Sequence, residues 1–162
     1  MVAFQDDVPL EDRAELRRHL VLPPTCDHDS IAADAGLRLY PRGETTVVAA
    51  LCSSGAYNLV TAWFWIEGAI THPKRIVRLR FDTWQFGTPP RRAVVEFLAG
   101  HVHYDSSTAT ITVFTKARGM GDCGVWAKFV IASARAIPVE MRVKERCDGE
   151  SLPFDTWELM PP

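Results

Sequence analysis

A glycine-rich segment at residues 116–124 most strongly limits the folds open to this chain. It holds three glycines, two cations, one acid and one cysteine. Glycine loses more conformational entropy on ordering than any other residue, so it is used where φ is positive or where backbones approach closely. An alternating run at residues 108–115 precedes this segment and an apolar run at 125–131 follows it. The pattern predicts a specially shaped loop between two strands.

Most of the remaining chain is predicted to form extended strands. Valine, threonine and aromatic residues, which favour strands, recur in short runs. These runs are residues 37–40, 45–52, 57–66, 75–81, 101–104, 108–115, 125–132 and 137–144. Before them, Pro9 and the acids after it begin a helix with a basic end near Arg17, and Pro23 stops it. We therefore expect a mainly β (α+β) fold of antiparallel sheets with one N-terminal helix.

An ordered set of short motifs occurs twice in the chain. The tetrapeptide Phe-Asp-Thr-Trp lies at residues 81–84 and again at 154–157. In both places it follows an Ala-Gly pair, a tyrosine and a cysteine, and it precedes a Pro-Pro pair. This order favours an internal duplication of residues 35–90 and 99–162 within a single domain, residues 1–162. Each half would be an antiparallel meander, and the two would bury one joint core as a sandwich.

The charge and composition of the chain disfavour several classes of function. The 18 basic and 20 acidic residues give a net charge of −2. Proteins that bind nucleic acid usually carry an excess of basic residues, which this chain lacks. No apolar run approaches the roughly 20 residues that cross a bilayer, and residues 1–7 lack the basic start and apolar core of an export signal. Motifs of the common hydrolases and nucleotide enzymes are missing too. We expect no nucleic-acid partner, membrane span or cofactor, and either a cytosolic protein or one whose signal was removed.

Four cysteines without a Cys-x-x-Cys pair are poorly spaced for zinc and suit two disulfides. We favour Cys26 with Cys52 and Cys123 with Cys147, because each pair closes a loop of about 25 residues, worth roughly 3 kcal/mol in the chain-entropy model. Cys123 as a nucleophile would need a base, and no histidine is near it in sequence. Disulfide bonding favours an oxidising compartment.

Several blocks of the chain resemble a known family. Residues 116–124 resemble the Lys-Gly-Arg-Gly-Leu-Gly-Asp-Cys-Gly signature of bacterial domain-of-unknown-function family 1176, with alanine in place of one glycine. Residues 52–58 resemble its Cys-x-x-Gly-Ala-Tyr-Asn block, and residues 147–149 and Trp157 resemble its Cys-x-Gly and tryptophan ending. The family's Trp-x-Trp-Asp-Gly turn is absent, with residues 129–134 in its place. The resemblance implies the carboxy-terminal part of a longer, exported protein of Gram-negative bacteria, hence a periplasmic location, and no activity.

Five residues in two segments are candidates for a binding site, with no catalytic residue assigned. They are Ser54, Tyr57, Lys116, Arg118 and Asp122. The two cations stand beside glycine amides, an arrangement that would hold an anion in a nest of backbone N–H groups. Loop cations are more often simply solvated, and that alternative stays open.

Histidines and aromatic residues offer two weaker hypotheses. His101 and His103 share one face of a strand and would bind a metal if His28 or His72 supplied a third ligand, but exposed histidines are more often plain surface, so we expect no metal site. Residues 63–65, Trp-Phe-Trp, would stack on a sugar or peptide. Strand alternation places the two tryptophans on one face and the phenylalanine on the other, which favours core packing.

Two classes of function remain open. The first is a non-enzymatic interaction module of the cell envelope with a protein partner. In a sharper version, residues 54–57 and 115–116 resemble the Ser-Gly-x-x-Tyr and Thr-Lys-Gly motifs of periplasmic lysozyme inhibitors, whose serine and lysine engage the catalytic carboxylates, although the first motif is one residue short and the second lacks its glycine. The rival is a hydrolase of envelope polymers that uses acids such as Asp122, Asp105 and Glu67.

Overall fold

The computed structural model describes residues 9–24, 26 and 36–162. In this part of the chain one helix, α1 (Leu10–His19), precedes a series of strands. In chain order they are β1 (Leu37–Arg42), β2 (Thr45–Ser54), β3 (Leu59–Ala69), β4 (His72–Arg78), β5 (Phe81–Gln85), β6 (Arg91–Val95), β7 (Leu98–Asp105), β8 (Thr110–Lys116), β9 (Gly124–Ala132), β10 (Arg135–Lys144) and β11 (Glu158–Met160). A 3-10 turn, Phe154–Thr156, precedes β11. The expected mainly β (α+β) fold with one N-terminal helix is confirmed.

The paired strands are antiparallel, and most belong to one 9-stranded sheet. Its order is β1-β2-β3-β7-β8-β9-β10-β11, with β4 also paired to β3. Strand β3 joins two meanders, because its residues 59–61 pair with β7 while its residues 64–69 pair with β4. Strands β5 and β6 form a separate hairpin. No helix in the described ranges is long and apolar enough to cross a membrane.

The sheet packs against other elements on both faces at β1, β2 and β3. On one face lies the helix-side core, where Leu16 of α1 packs with residues such as Phe64. On the other lies the hairpin-side core, which includes Trp63 of β3 and Phe81 of β5, with Trp65 packed against it. Trp63 and Phe64 therefore point to opposite faces, as a strand requires. The predicted alternation is confirmed, and Trp63 is a core residue only 2% exposed.

The β5–β6 hairpin covers the hairpin-side core and holds the C-terminal segment. The Phe81 ring meets the Phe129 ring of β9 edge to face, with centroids 5.1 Å apart. On the same hairpin, Trp84 Nε1 and Arg92 Nη1 both donate hydrogen bonds to the backbone oxygen of Pro161, at 3.0 and 2.9 Å. The last residues of the chain are thus tied across a hairpin about 70 residues away in sequence.

The repeated motifs do not take the same conformation. The first Phe-Asp-Thr-Trp lies in β5, whereas the second forms the 3-10 turn and Trp157. Local context and packing decide the conformation of so short a peptide. Strands β1–β4 and β7–β10 are each four consecutive antiparallel strands, as two meanders would be. Ala35, part of the first motif set, lies outside the described residues, and the duplication of 35–90 and 99–162 stays a prediction.

Candidate functional site: the paired loops

Two loops that are far apart in sequence lie against each other at one end of the sheet. We call them the loop pair: residues 54–58, between β2 and β3, and residues 116–124, between β8 and β9. Asn58 Nδ2 donates to the backbone oxygen of Lys116 at 2.9 Å, and the Lys116 N–H donates back to Asn58 Oδ1 at 3.1 Å. The Tyr57 hydroxyl donates to the Ala117 oxygen at 3.1 Å. The structure thereby brings the candidate Tyr57 against the segment of Lys116, whereas Ser54 pairs with Leu59 and makes no hydrogen bond to that segment among the described residues.

Each loop of the pair has a tight backbone that glycine makes possible. In the first, the Gly55 N–H donates to the Asn58 oxygen at 2.8 Å and closes the turn. In the second, Gly124 has φ +148°, and a Cβ atom there would overlap the backbone oxygen of Thr115 on the paired strand. Only glycine allows this approach of two backbones. The predicted loop between two strands is confirmed, and close strand contact is one reason for its glycine content.

A buried carboxylate holds the second loop in shape. Asp122 is 1% exposed and accepts two hydrogen bonds from Arg118, from Nε at 2.8 Å and from Nη2 at 2.6 Å. The Gly149 N–H donates a third, at 2.7 Å. The Arg118 hydrogen bond is the main cause that holds the pKa of Asp122 well below its usual range, against the opposing effect of burial. Asp122 is therefore an ionised structural group, as a buried charge with these partners should be.

A lysine and a disulfide fasten the loop to the segment after β10. Lys144 Nζ donates to the Asp122 backbone oxygen at 2.9 Å, to Asp148 Oδ1 at 2.7 Å and to the Glu150 oxygen at 2.7 Å. The Lys144 hydrogen bond is the main cause that lowers the pKa of Asp148. Cys123 and Cys147 form a disulfide between the same two segments. The loop is thus fixed on three sides: by Asn58, by the ion pairs and by covalent sulfur.

Both predicted disulfides are confirmed. Cys26 is joined to Cys52 and Cys123 to Cys147, with sequence separations of 26 and 24 residues, and no cysteine is free. Cys123 is not a nucleophile in this state, because its sulfur is bonded. Two disulfides in one chain indicate an oxidising, extracytoplasmic location.

The two candidate cations of the loop differ in what their charges contact. The guanidinium of Arg118 is held by Asp122, so it is not free for an anion. The ammonium of Lys116 makes no hydrogen bond or ion pair within the described residues, and its stem runs over Gly121, where a Cβ would meet Lys116 Cε at 3.4 Å. Ser54 and Tyr57 are exposed, and Tyr57 contacts Ala117, the residue after Lys116. Lys116 is therefore the charge of the loop pair that is open to a partner.

The acids proposed for a hydrolase do not form one catalytic pair at this site. Asp105 pairs with Thr110 at the start of β8, whereas Asp122 lies beyond Lys116, at the other end of the strand. At the rise of an extended strand these ends are roughly 20 Å apart. Paired carboxylates of glycoside hydrolases are about 5–10 Å apart. The geometry does not support Asp105 and Asp122 as a general acid and base.

The surroundings of the acids also differ from those of a catalytic acid. Hydrogen bonds from Ser107, with further ones from Thr108, lower the pKa of Asp105 to about 2. Glu67 accepts hydrogen bonds from Arg75 and from the Trp65 indole, both at 3.4 Å. A general acid needs a raised pKa, whereas hydrogen bonds lower the pKa of both Asp105 and Asp122.

The histidine pair lies on the surface, and no third metal ligand stands near it in the described part of the chain. His101 and His103 are both exposed on one face of β7, and the His101 ring stacks on Phe114 with centroids 6.5 Å apart. No group of three histidine, cysteine or acidic side chains suitable for a metal occurs in the portion of the chain that the structure describes. His28, one of the suggested third ligands, lies outside that portion.

Asn58 is one of three residues at this site that were not candidates from the sequence. Its side-chain amide donates one hydrogen bond to the backbone of Lys116 and accepts one from it, as a residue of an adjacent strand would. The only signal was its place at the end of the Cys-x-x-Gly-Ala-Tyr-Asn block. Gly149 and Lys144 were missed as well, because nothing local marks a residue that meets a loop more than 20 residues away.

Comparisons with known proteins give a family and no activity. A search of the curated proteins and a search of the solved structures found no match. A family model described as "Protein of unknown function (DUF1176)" matches residues 7–161. This span is nearly the whole chain and includes both loops of the pair and all four cysteines. The chain therefore belongs to the DUF1176 family.

Proposed function

We propose that this protein is a non-enzymatic interaction module of the bacterial periplasm that binds a protein partner through the loop pair. The observation that carries the proposal is the reciprocal hydrogen bonding of Asn58 with Lys116, which joins the exposed residues 54–57 to a second loop whose tip, Gly119 and Met120, is exposed. The two disulfides and the resemblance to exported proteins of Gram-negative bacteria support the periplasm as the compartment.

The many contacts that hold the loop pair in one shape support a role in binding. Ordering a flexible loop on binding costs free energy, so a surface already held in shape binds with less loss. Here the second loop is held by the Asn58 hydrogen bonds, by Asp122 with Arg118 and by the disulfide of Cys123. Exposed Ser54 and Tyr57, with the ammonium of Lys116, which has no partner among the described residues, supply polar groups that a partner would contact.

A sharper candidate is an inhibitor of a lysozyme-like peptidoglycan hydrolase. Residues 54–57 and 115–116, which resemble the two inhibitor motifs, lie in the two contacting loops, and this contact favours the candidate. Such hydrolases carry a pair of carboxylates in an open cleft. The ammonium of Lys116 is the complementary charge, and the exposed hydroxyl of Ser54, in the first loop, is a further polar group for such a partner.

A lysis assay tests the inhibitor candidate. Purified protein is added to lysozymes of several types acting on bacterial cell walls, and we expect at least one of them to be slowed. Lys116→Ala should weaken inhibition about thirtyfold or more, because truncating one partner of a buried, hydrogen-bonded charge pair typically costs about 2 kcal/mol or more. Lys128→Ala, a lysine of β9 without a described ion pair, is the matched control. Unchanged lysis with every lysozyme contradicts the inhibitor candidate.

The broader proposal is tested by capture from periplasmic extract. The wild type and Lys128→Ala should retain a partner that Lys116→Ala and Tyr57→Ala lose. Equal capture by all four proteins contradicts the loop pair as the contact surface. The rival, a hydrolase of envelope polymers, predicts instead that purified protein releases fragments from cell walls, and that Asp122→Asn abolishes the release.

A further inference from the structure

A small cavity opens next to the first loop of the pair, on the hairpin-side face of the sheet. Its volume is about 130 Å³, and it lies over strands β1, β2, β3 and β7. Leu59, which directly follows Asn58, lines it and is 51% exposed. The cavity therefore adjoins the loop pair along the backbone of β3.

The cavity exists because small residues face it between larger ones. Ala49 of β2 stands between Arg38 of β1 and Trp63 of β3 in the strand register. Gly100 of β7 contributes no side chain on the opposite side, and a Cβ there would overlap the Phe114 backbone oxygen. Strand packing therefore keeps this space unfilled by side chains of the strands themselves.

The walls of the cavity are aromatic and apolar. The Tyr40 and Trp63 rings are stacked, with centroids 6.2 Å apart and an interplanar angle of 11°. The indole N–H of Trp63 donates to Thr61 Oγ1 at 2.9 Å, so it is not left for an occupant. An occupant would therefore gain chiefly by burying apolar surface.

Arg38 is the one charged residue among those lining the cavity. It is exposed, and its guanidinium makes no hydrogen bond or ion pair in the part of the chain that the structure describes. Guanidinium groups pair best with carboxylates, often through two hydrogen bonds. The guanidinium of Arg38 thus favours a ligand that carries an anionic group next to its apolar part.

The size of the cavity indicates whether its occupant is a free small molecule or a side chain of a partner protein. Pockets for small molecules usually measure about 300–1,000 Å³. A cavity of about 150 Å³ is enough for one benzene ring. The observed volume therefore suits one ring or one branched aliphatic group, which is the scale of a single anchoring residue in a protein interface.

We infer that this cavity receives one aromatic or large aliphatic side chain of a protein partner, with an adjacent carboxylate that pairs with Arg38. The identity of the occupant as a partner residue rests on the proposed function, whereas the chemistry of the cavity does not. The cavity would add an apolar anchor to the polar contacts of the loop pair. Interfaces concentrate their binding energy in such buried anchors.

Two probes that differ only in charge test the inference. N-acetylphenylalanine carries a ring and a carboxylate, and N-acetylphenylalaninamide carries the same ring with a neutral amide. In titrations followed by NMR, both should shift the Gly100 amide and the Trp63 indole signals at millimolar concentration. The acid should bind about two- to fivefold tighter, the usual worth of an exposed ion pair.

Variants separate the charge from the apolar surface. Arg38→Gln should remove the preference for the acid and leave amide binding unchanged, while Arg135→Gln, an exposed arginine of β10, should keep the preference. Arg38 is exposed, so its variant should fold. No shift at Gly100 and Trp63, or equal affinity for acid and amide in the wild type, overturns the inference. Lys116→Ala should bind both probes normally, so loss of partner capture in that variant and loss of probe binding are separate outcomes.

Discussion

The side-chain amide of Asn58 and the backbone of Lys116 form two hydrogen bonds, at 2.9 and 3.1 Å, between loops 58 residues apart in sequence. An amide side chain here does the work of a neighbouring strand, because it satisfies both the N–H and the C=O of one residue. Both backbone groups of Lys116, the last residue of β8, are therefore paired by one side chain of the first loop.

Asn58→Ala should lower the free energy of unfolding by about 1–3 kcal/mol, because it leaves the partly buried backbone groups of Lys116 without partners. Urea denaturation with an unchanged slope measures the loss. Tyr57→Phe is the control, since it removes one exposed hydrogen bond and should cost less than about 1 kcal/mol. If Asn58→Ala is as stable as the wild type, the reciprocal hydrogen bonds do not hold the loop pair.

Gly124→Ala should destabilise the protein by more than about 4 kcal/mol or prevent folding, because its Cβ would overlap the oxygen of Thr115. Gly119→Ala, in the same loop, meets no atom within 4 Å and should change stability by less than about 0.5 kcal/mol. The melting temperatures of the two variants compare a position where two backbones approach closely, Gly124, with an open one, Gly119. Equal melting temperatures would contradict the strand contact at Gly124.

Replacing Cys123 and Cys147 together by serine should cost about 3 kcal/mol, the chain-entropy worth of a loop of this length. The same double change at Cys26 and Cys52 should cost a similar amount, because the two separations are 24 and 26 residues. Chemical denaturation measures both. A separate check is alkylation of the denatured wild type before reduction, which should label no cysteine; four labels would contradict both disulfides.

Asp122→Asn should lower the free energy of unfolding at neutral pH. It should also make that free energy depend less on pH in the acid range. The pKa of Asp122 is lower in the folded chain than in the unfolded chain. Its charge therefore stabilises the fold above about pH 4, and that stabilisation is lost as the pH falls further.

Urea midpoints at several pH values should thus fall less steeply below about pH 4 in Asp122→Asn than in the wild type. Glu158→Gln, an exposed acid of β11, is the control and should follow the wild-type curve. Asp122→Asn should still lose some stability in acid from Asp105, whose pKa is about 2. Parallel curves for Asp122→Asn and the wild type would contradict an ionised, stabilising Asp122.

Local patterns in the sequence determined the helix, the position of the glycine-rich loop and most of the strands; β6, β11 and all of β5 except Phe81 lie outside the predicted runs. Alternation along β3 also determined that Trp63 and Phe64 face opposite cores, because a strand has a period of two. Loop length and the absence of zinc spacing favoured the two cysteine pairs that the structure contains. These features depend on residues close together in the chain, or on the number and spacing of the cysteines. They can therefore be predicted from a single sequence.

Only the tertiary structure decided which distant segments meet. The docking of Asn58 on Lys116, the burial of Asp122 under Gly149 and the cavity between Tyr40 and Gly100 each need strands that are adjacent in space and far apart in the chain. A loop cation such as Arg118 looks the same in sequence whether it is solvated or held by a buried acid. Its role is set by desolvation and by the partners that folding brings within hydrogen-bond distance, and these are properties of the packed molecule.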